Sequence, residues 1–429
     1  MATIAAEPTL RTRTVPLLLA GLTACASGSV PAARPEVPIP AAAVSEERGP
    51  SIRVGLVVGA ATVSVGGHDA LLVNEPDGSR ITTIPRGETW QVRTAGQKLV
   101  LAGHGSSHPP TFDALVLASV DPAVPVRLNG KLYRGYAEIL RDAAGITVVN
   151  RLDVETYLDG VVSAEMGRRS PSERAALEAQ AVVSRTYAIR NLGRRRSRGF
   201  DLFAGVSDQV YGGVAAETPE GRSAVRETRG QVLTYGGGPI EAFFYSTCGG
   251  RTADGVEVFR GGAQPYLRSI TDKAENGSPY CIISPRYRWR EEWNAQTLRA
   301  TLERNLPTVT GTPSRYVRQV KDIRIERRTA SGRVAQLAIA IDGPDIRVAG
   351  GAIRQVLRPS SGELLRSNAF TLSVTGGGER VTHLTADGTG AGHGVGFCQW
   401  GAVGRARSGH GYQQILAAYF PETRVARRY

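Results

Sequence analysis

The chain has 429 residues, 41% of them hydrophobic, and a formal net charge of +13. This length predicts two or three domains, and the apolar content suffices for buried cores, which excludes a chain that is disordered throughout. The basic charge is typical of proteins that contact nucleic acid, an anionic surface or an acidic polymer, although a plain arginine bias would explain it equally well. The sequence contains no recognition helix, zinc-finger spacing or ribonucleoprotein motif, so we do not expect nucleic acid as a partner.

The first 25 residues have the features of an export signal. Arg11 and Arg13 precede the apolar residues 15–22, a run too short for the roughly 20 residues that a transmembrane helix needs. The segment Leu-Thr-Ala-Cys then ends at Cys25 and resembles the bacterial lipobox, which implies a lipid on Cys25; an ordinary signal peptide with an incidental cysteine is the alternative. Residues 26–50 predict a flexible tether, so we expect an exported lipoprotein anchored on the periplasmic side of a bacterial envelope membrane.

Residues 51–149 predict a strand-rich part. Short apolar runs that begin at Ile52, Ala70, Leu99 and Ile146 are separated by Gly, Asp, Asn and Ser turns. The dipeptide Asn129-Gly130 between two short runs predicts a β-hairpin with a type I′ turn.

Residues 150–284 begin with helical periodicity. Asp153 predicts the N-cap of a first helix that ends near Met166, where Gly167 suits the C-cap. The segment Ser-Pro-Ser-Glu at 170–173 predicts the start of a second helix. Strands are predicted after these helices, over 231–235 and 239–246.

The rest of the chain predicts an inserted lobe and a glycine-rich tail. Residues 285–385 contain a predicted helix near 295–306 and alternating strands such as 333–341. Residues 386–429 predict a glycine-rich strand, with glycines at every second position from 390 to 396, and then C-terminal helices. The fold class is therefore predicted as α+β.

Glu165 is the residue that does not fit the apolar pattern of the first predicted helix. It falls on the same helical face as the apolar residues Leu158, Val161 and Val162. Loss of solvent and the negative end of the helix should both raise its pKa, although Arg168 and Arg169 follow closely and could oppose this. A carboxylic acid that stays protonated near neutrality can donate a proton to a glycosidic oxygen. The alternative is a structural glutamate that caps the helix or pairs with Arg185.

Three cysteines remain beyond Cys25, namely Cys248, Cys281 and Cys398. In an oxidising compartment an odd number predicts one disulfide and a free thiol, or three ligands of a metal ion.

Five segments, in order, resemble motifs of the stage II sporulation protein D family, which also includes the amidase-enhancer proteins. They are VNRLDVETYLDGVVSAEM from 149, AQAVVSRTYA from 179, DQVYG from 208, STCGG from 246 and HGVGFCQWGA from 393. The resemblance extends from about Ile52 to the carboxyl end. It implies a peptidoglycan lytic transglycosylase that cuts glycan strands between N-acetylmuramic acid and N-acetylglucosamine.

The family's catalytic glutamate, in its Ala/Ser-Glu-Met motif, falls on Glu165. Glycoside hydrolases usually need two carboxylates, and the motifs offer no obvious partner, with Asp208 and Glu241 as the remaining candidates. A lytic transglycosylase can instead use one group first as acid and then as base, closing a 1,6-anhydro ring. The resemblance implies a saccharide groove lined by Arg185, Gln209, Ser246, Thr247, His393 and Gln399.

The resemblance also bears on the cysteines, because some family members bind zinc near the Ser-Thr-Cys-Gly-Gly segment. Cys248, Cys281, Cys398 and His393 could supply such ligands, and a Cys248–Cys281 disulfide is an equally good alternative. Tyr245 stands where relatives carry histidine, which weakens the zinc interpretation. Either role would be structural, so no cofactor is expected for catalysis.

Two hypotheses follow. The protein is a glycan-cleaving enzyme with Glu165 as acid and base, or it is a peptidoglycan-binding enhancer that positions a separate cell-wall amidase and cuts nothing.

Overall fold

The structure is a computed structural model that describes residues 49–103, 110–259, 261–376 and 380–429. The predicted signal peptide, the predicted lipidation site Cys25 and the predicted tether up to residue 48 lie outside the described residues. Within the described ranges, no helix is both long enough and apolar enough to cross a membrane. Helices are combined with several separate sheets, which confirms the predicted α+β class.

The strand-rich part forms two sheets. Its strands are β1 (Ser51–Ala60), β2 (Thr62–Gly67), β3 (Leu71–Asn74), β4 (Arg80–Ile84), β5 (Thr89–Ala95), β6 (Lys98–Ala102), β7 (Thr111–Phe112), β8 (Ala114–Ser119), β9 (Val126–Leu128), β10 (Lys131–Tyr133), β11 (Tyr136–Asp142) and β12 (Gly145–Asp153). One sheet has the order β1-β12-β11-β8-β3-β4, and the other has the order β10-β9-β2-β5-β6-β7.

The predicted strands of this part are confirmed. The four predicted runs coincide with β1, β3, β6 and β12. Asn129 and Gly130 have φ values of 48° and 78°, as the two central residues of a type I′ turn require. Alternate residues of these strands point into one apolar cluster that also includes residues of the helices and of the C-terminal tail.

Two helices follow β12 directly, α1 (Val154–Met166) and α2 (Arg174–Arg190). The Asp153 carboxylate accepts a hydrogen bond from the Thr156 N–H at 2.9 Å, and Gly167 ends α1 with φ of 69°. A 3₁₀ turn, Pro171–Glu173, precedes α2, and the Glu173 carboxylate accepts the Ser170 N–H at 3.0 Å. Both predicted helix starts are therefore confirmed, because the capping side chains satisfy N–H groups that have no partner inside the helix.

The next elements surround α2. They are β13 (Leu202–Phe203), which joins the edge of the first sheet beside β1, α3 (Pro219–Glu227), β14 (Gln231–Tyr235), β15 (Gly238–Pro239) and β16 (Phe244–Tyr245). The predicted strand over 231–235 is confirmed. The strand predicted over 239–246 is wrong in its length, since two separate two-residue strands occupy that region.

The inserted lobe has its own apolar cluster, made of residues between Trp289 and Ala386. Its elements are β17 (Arg288–Asn294), α4 (Ala295–Thr310), β18 (Val320–Arg328), β19 (Val334–Ile341), β20 (Ile346–Ala349), α5 (Ala352–Val356), β21 (Phe370–Thr375) and β22 (His383–Thr389). They form two three-stranded sheets, β17-β22-β21 and β18-β19-β20, with α4 packed beside them.

The tail contains β23 (Phe397–Cys398), α6 (Gln399–Arg407), α7 (Tyr412–Tyr419) and β24 (Arg424–Arg427). The predicted C-terminal helices are confirmed. The predicted glycine-rich strand is wrong, because the four glycines from 390 to 396 have φ values of 76°, 109°, 95° and 79°, which belong to turns rather than to a strand. Strand β23 pairs in parallel with β16, and this brings Gln399 at the start of α6 towards α1 and α2.

Candidate active site

Glu165 lies in the last turn of α1 and is partly exposed to solvent. Its Oε1 accepts the backbone N–H of Val210 at 2.6 Å, and its Oε2 accepts the side-chain amide of Gln399 at 3.4 Å. Burial raises the pKa of this carboxyl above 4.5, while the two hydrogen bonds act in the opposite direction. The predicted direction of the pKa shift is therefore confirmed, with loss of solvent as its largest cause.

No cation neutralises Glu165 among the residues that the structure describes. The guanidinium of Arg169 lies over the ring of Trp400 at 4.5 Å, and Arg168 is exposed. Neither arginine forms an ion pair with the carboxylate, so the opposing effect that their positions in the sequence allowed does not arise. The carboxyl group is left with amide donors alone.

A row of hydrogen bonds between buried polar side chains holds the side chain of Gln399 in place. Gln399 is 8% exposed, and its side-chain amide also donates to the side-chain oxygen Oε1 of Gln180 at 3.3 Å. Gln180 in turn donates to the Ser184 hydroxyl at 2.9 Å, and both residues belong to α2. This row fixes the orientation of the amide that faces Glu165. The sequence did not single out Gln180, because only the structure shows that this glutamine is fully buried.

Arg185 does not line a groove, which corrects its predicted role. It is fully buried and forms two hydrogen bonds with Glu155, at 2.8 and 2.7 Å. The same carboxylate accepts the Gly230 N–H at 3.1 Å and the Tyr429 hydroxyl at 2.6 Å. The alternative pairing of Glu165 with Arg185 is thereby excluded, because Arg185 is committed to the other end of α1.

Two further residues predicted to line the groove are buried as well. Gln209 accepts the Tyr157 hydroxyl at 3.1 Å, and Thr247 shares a hydrogen bond with the Ser284 hydroxyl at 2.8 Å. Their predicted direct contact with saccharide is corrected, since neither side chain reaches solvent. Ser246 is partly exposed beside Thr247, and it remains a candidate for substrate contact.

His393 is held by the protein backbone on both sides of its ring. Its Nε2 donates to the Phe244 carbonyl at 2.9 Å, and its Nδ1 accepts the Val395 N–H at 3.1 Å. This pair of partners requires the neutral ring, and burial lowers the pKa of His393 to about 4. The predicted role in substrate binding is corrected to a structural one, because both nitrogens already have partners.

The two carboxylates considered as a second catalytic group are engaged elsewhere. The Asp208 side chain is buried, pairs with Arg195 at 3.0 Å and accepts the Tyr187 hydroxyl at 2.8 Å. Glu241 pairs with Arg190 at 3.1 Å. These partners hold each carboxylate in a structural contact, so the geometry favours one carboxyl group acting alone.

The three cysteines meet in one buried cluster with Asp272. Their ligand atoms, three sulfurs and one carboxylate oxygen, all lie within 4.8 Å of one another. All three cysteines are free, and the Sγ atoms of Cys248 and Cys281 are 3.4 Å apart, so the alternative disulfide is not formed. His393 is not part of the cluster. Asp272 was not predicted, because it lies in a separate loop with no sequence pattern of its own.

The surroundings of this cluster suit a thiolate-bound metal ion. Backbone N–H groups of Cys248 and Gly401 donate to the Cys398 sulfur, each at 3.2 Å. The Asp272 carboxylate is oriented by Arg405 at 3.0 Å and by the Tyr419 hydroxyl at 2.7 Å. Three thiols and one carboxylate in a buried site are four donors of types that Zn²⁺ binds, and outer partners of this kind orient such ligands.

Comparison with known proteins identifies the family. The family described as Stage II sporulation protein matches residues 142–235, and a domain of unknown function matches residues 283–396. The chain is 32% identical over 294 residues to an uncharacterized protein of Brachyspira hyodysenteriae, covering 68% of this chain and 72% of that protein. It is 30% identical over 287 residues to stage II sporulation protein D of Bacillus amyloliquefaciens, covering 63% of this chain and 74% of that protein.

The chain belongs to the stage II sporulation protein D family. It is also 28% identical over 298 residues to the amidase enhancer of Bacillus subtilis, covering 62% of this chain and 40% of that longer protein. The resemblance deduced from the motifs is therefore confirmed. The first matched region contains Glu165, Arg185 and Gln209, and the second contains His393 and the whole inserted lobe.

Proposed function

We propose that the protein is a lytic transglycosylase of peptidoglycan, in cell-envelope remodelling. It would cleave the bond between N-acetylmuramic acid and N-acetylglucosamine and leave 1,6-anhydro-muramic acid ends. The observation that carries this proposal is the environment of Glu165, a partly buried carboxyl group that faces two amide donors and, among the residues with described positions, no cation. Family membership supports a role at the cell wall.

The first step uses Glu165 in its protonated form. Its proton passes to the glycosidic oxygen as the bond from that oxygen to C1 of muramic acid breaks, which leaves positive charge at C1 and a neutral leaving hydroxyl. Burial keeps the proton on the carboxyl at a higher pH than in water, so the acid is available for the transfer. A single acid is sufficient for this step.

The second step uses the carboxylate that the first step leaves behind. The Val210 N–H and the Gln399 amide donate to its two oxygens and stabilise the negative charge. The carboxylate then removes the proton of the muramic acid 6-hydroxyl while that oxygen bonds to C1. This closes the anhydro ring and restores protonated Glu165, so the cycle needs no second carboxylate and no water.

The cysteine cluster would have a structural part in this enzyme, with Cys248, Cys281, Cys398 and Asp272 holding one zinc ion. Zinc would bridge segments distant in sequence and fix the start of α6, where Gln399 follows Cys398 directly. Purified protein should contain about one zinc per chain by atomic absorption. Cys281→Ser should lose the metal and melt at a lower temperature, while Ser408→Ala, at the opposite end of α6, should keep it. Full metal content in the Cys281 variant would contradict this assignment.

The location follows from the export signal and lipobox predicted in the sequence. The protein would be anchored through lipid on Cys25 at the periplasmic side of a bacterial envelope membrane, with peptidoglycan strands as its partner. Metabolic labelling with a fatty-acid probe should label the wild type and not Cys25→Ala.

The relationship to an amidase enhancer supports a second candidate, a protein that binds peptidoglycan and assists a separate amidase without cutting. Mass spectrometry of purified glycan strands after incubation separates the two. Anhydro-ended fragments from the wild type, absent with Glu165→Gln, would establish the transglycosylase. Intact strands with both proteins, together with stimulation of an added amidase, would establish the enhancer.

A further inference from the structure

A cleft separate from Glu165 lies where the inserted lobe meets the rest of the protein. Its volume is about 470 Å³, a size typical of pockets that bind small ligands. It is lined by the loop that follows Ser246-Thr247, the first residues of β17, the turn between β18 and β19, and the facing ends of β21 and β22. Its charged lining residues are Arg251, Arg288, Arg328, Arg333 and Asp387.

The positive charge of this cleft is not neutralised from within. In the described parts of the chain none of the four arginines forms an ion pair with a carboxylate. The single lining acid, Asp387, is held by two hydrogen bonds from Arg290, at 2.7 and 3.0 Å. Glu257, which does not line the cleft, accepts hydrogen bonds from the N–H and the hydroxyl of the lining residue Ser331. Four arginines therefore line one cavity without a carboxylate partner among the described residues.

Two of these guanidinium groups are fixed in place by the backbone. Arg333 is 6% exposed and donates to the carbonyl oxygens of Cys248 at 3.2 Å and Arg251 at 2.8 Å. Arg328 donates to the carbonyl oxygens of Gly332 at 2.9 Å and Phe370 at 3.0 Å. Neutral carbonyl partners position the side chains and leave their charge intact, so the site is preorganised for an anion.

The lining also has an apolar component. Trp289 and Phe370 both border the cavity, and their ring centroids are 6.0 Å apart. Gly388 makes room for the indole, since a Cβ atom at that position would lie 2.1 Å from it. Aromatic surface beside guanidinium groups suits a carboxylate that is borne on a small organic group, because planar carboxylates match the planar fork of arginine.

We infer that this cleft binds carboxylates that hang from the glycan strand, either the lactyl carboxylate of muramic acid in a stripped strand or the carboxylates of a stem peptide. The inference rests on the proposed glycan-strand substrate.

The cleft is connected to the acid through a short stretch of chain. The backbone carbonyl of Ser246 accepts the N–H of Trp400, the residue next to Gln399. From Ser246 to Arg251 the chain can span at most about 18 Å. These connections limit how far the cleft lies from the acid, and we expect one strand to contact both.

The test measures binding of purified strands to protein that carries Glu165→Gln, so that no strand is cut. In this background Arg251→Gln with Arg288→Gln removes two exposed cleft charges, and Arg299→Gln with Arg304→Gln removes two exposed charges on α4, outside the cleft. At low salt we expect the cleft pair to raise Kd about tenfold or more and the α4 pair to change it little. Equal melting temperatures of both double variants would show that folding is preserved.

Two kinds of strand distinguish the source of the carboxylate. A loss of affinity on stripped strands assigns the lactyl group, and a loss confined to stem-bearing strands assigns the peptide. Amidation of the strand carboxylates should weaken binding to protein with an unchanged cleft by the same factor as the cleft pair of substitutions does. Equal Kd values for the cleft and α4 pairs on both strands, or undiminished binding of amidated strands, would overturn the inference.

The outcome is independent of strand cleavage. If the wild type released no anhydro ends while the cleft pair still weakened strand binding, the proposed transglycosylase would fail and the carboxylate site would stand. If anhydro ends were released and the protein with the cleft pair of substitutions bound strands normally, the transglycosylase would stand and the carboxylate site would fail.

Discussion

The two ends of helix α1 each carry a glutamate that is at least partly shielded from solvent, and the two carboxylates have different kinds of partner. Glu155 at the first turn meets the Arg185 guanidinium, the Gly230 N–H and the Tyr429 hydroxyl. Glu165 at the last turn meets two amide donors and no cation within the described part of the chain, and it keeps partial access to solvent. A charge paired with arginine is stable but chemically unavailable, whereas a carboxyl without a cation retains its proton more readily.

This contrast predicts that substitutions of the two glutamates have different effects on strand cleavage and on stability. Glu165→Gln should lower the rate of strand cleavage by about 10²- to 10⁴-fold, the range for loss of a general acid. Because the pKa of Glu165 is raised in the folded protein, its ionisation costs stability above pH 4.5, where the unfolded side chain is already charged. The variant should therefore be at least as stable as the wild type at pH 7, as measured by urea unfolding beside the cleavage assay.

Glu155→Gln should have the opposite profile. It leaves the Arg185 charge buried without a counter-ion, which should cost about 3–5 kcal/mol of unfolding free energy. Protein that remains folded should still cleave strands at nearly the wild-type rate per folded molecule. Replacing both partners by apolar residues, as Glu155→Leu with Arg185→Met, should recover part of the lost stability. A stable Glu155→Gln protein that cannot cleave would remove the distinction between the two ends of α1.

Gln399→Leu tests the amide donors at Glu165. The change removes the donor at Oε2 and should raise the pKa of Glu165 further, because that hydrogen bond favours the charged form. Cleavage should slow on the order of tenfold, since the carboxylate of the second step loses a partner. The alkaline limb of the rate profile should move to higher pH. An unmoved limb would show that Gln399 acts only in packing.

Tyr429→Phe is expected to have the smallest effect. It removes one of the donors to Glu155, leaves Arg185 in place and should cost about 1 kcal/mol of unfolding free energy. Strand cleavage should be unchanged. A loss of activity as large as that of Gln399→Leu would mean that the two ends of α1 are coupled.

Local chemistry explains what the sequence could predict. Asp153, Gly167 and the Ser170–Glu173 segment define helix ends through contacts within a few residues, so the two helices were predicted correctly, as was the hairpin at Asn129-Gly130. Glu165 could be singled out because a charge on an apolar helical face conflicts with its own helix.

Partners that come from distant segments could not be predicted. Arg185 reaches Glu155 rather than Glu165, and Asp272 joins three cysteines from other segments. The glycines from 390 to 396 alternate as in a strand, but their positive φ values and the close approach of other segments of the chain determine their conformation. In each case long-range packing determines the geometry, and the spacing of residues along one segment does not predict it.

Infrared difference spectroscopy of the wild type against Glu165→Gln tests most directly whether Glu165 retains its proton. The carboxyl C=O stretch of Glu165, followed as pH rises, gives the pKa of that one group. We expect a midpoint above 4.5, with strand cleavage declining as pH rises through the same midpoint, because the acid form is then lost. A midpoint at or below 4.5 would contradict the assignment of Glu165 as a proton donor.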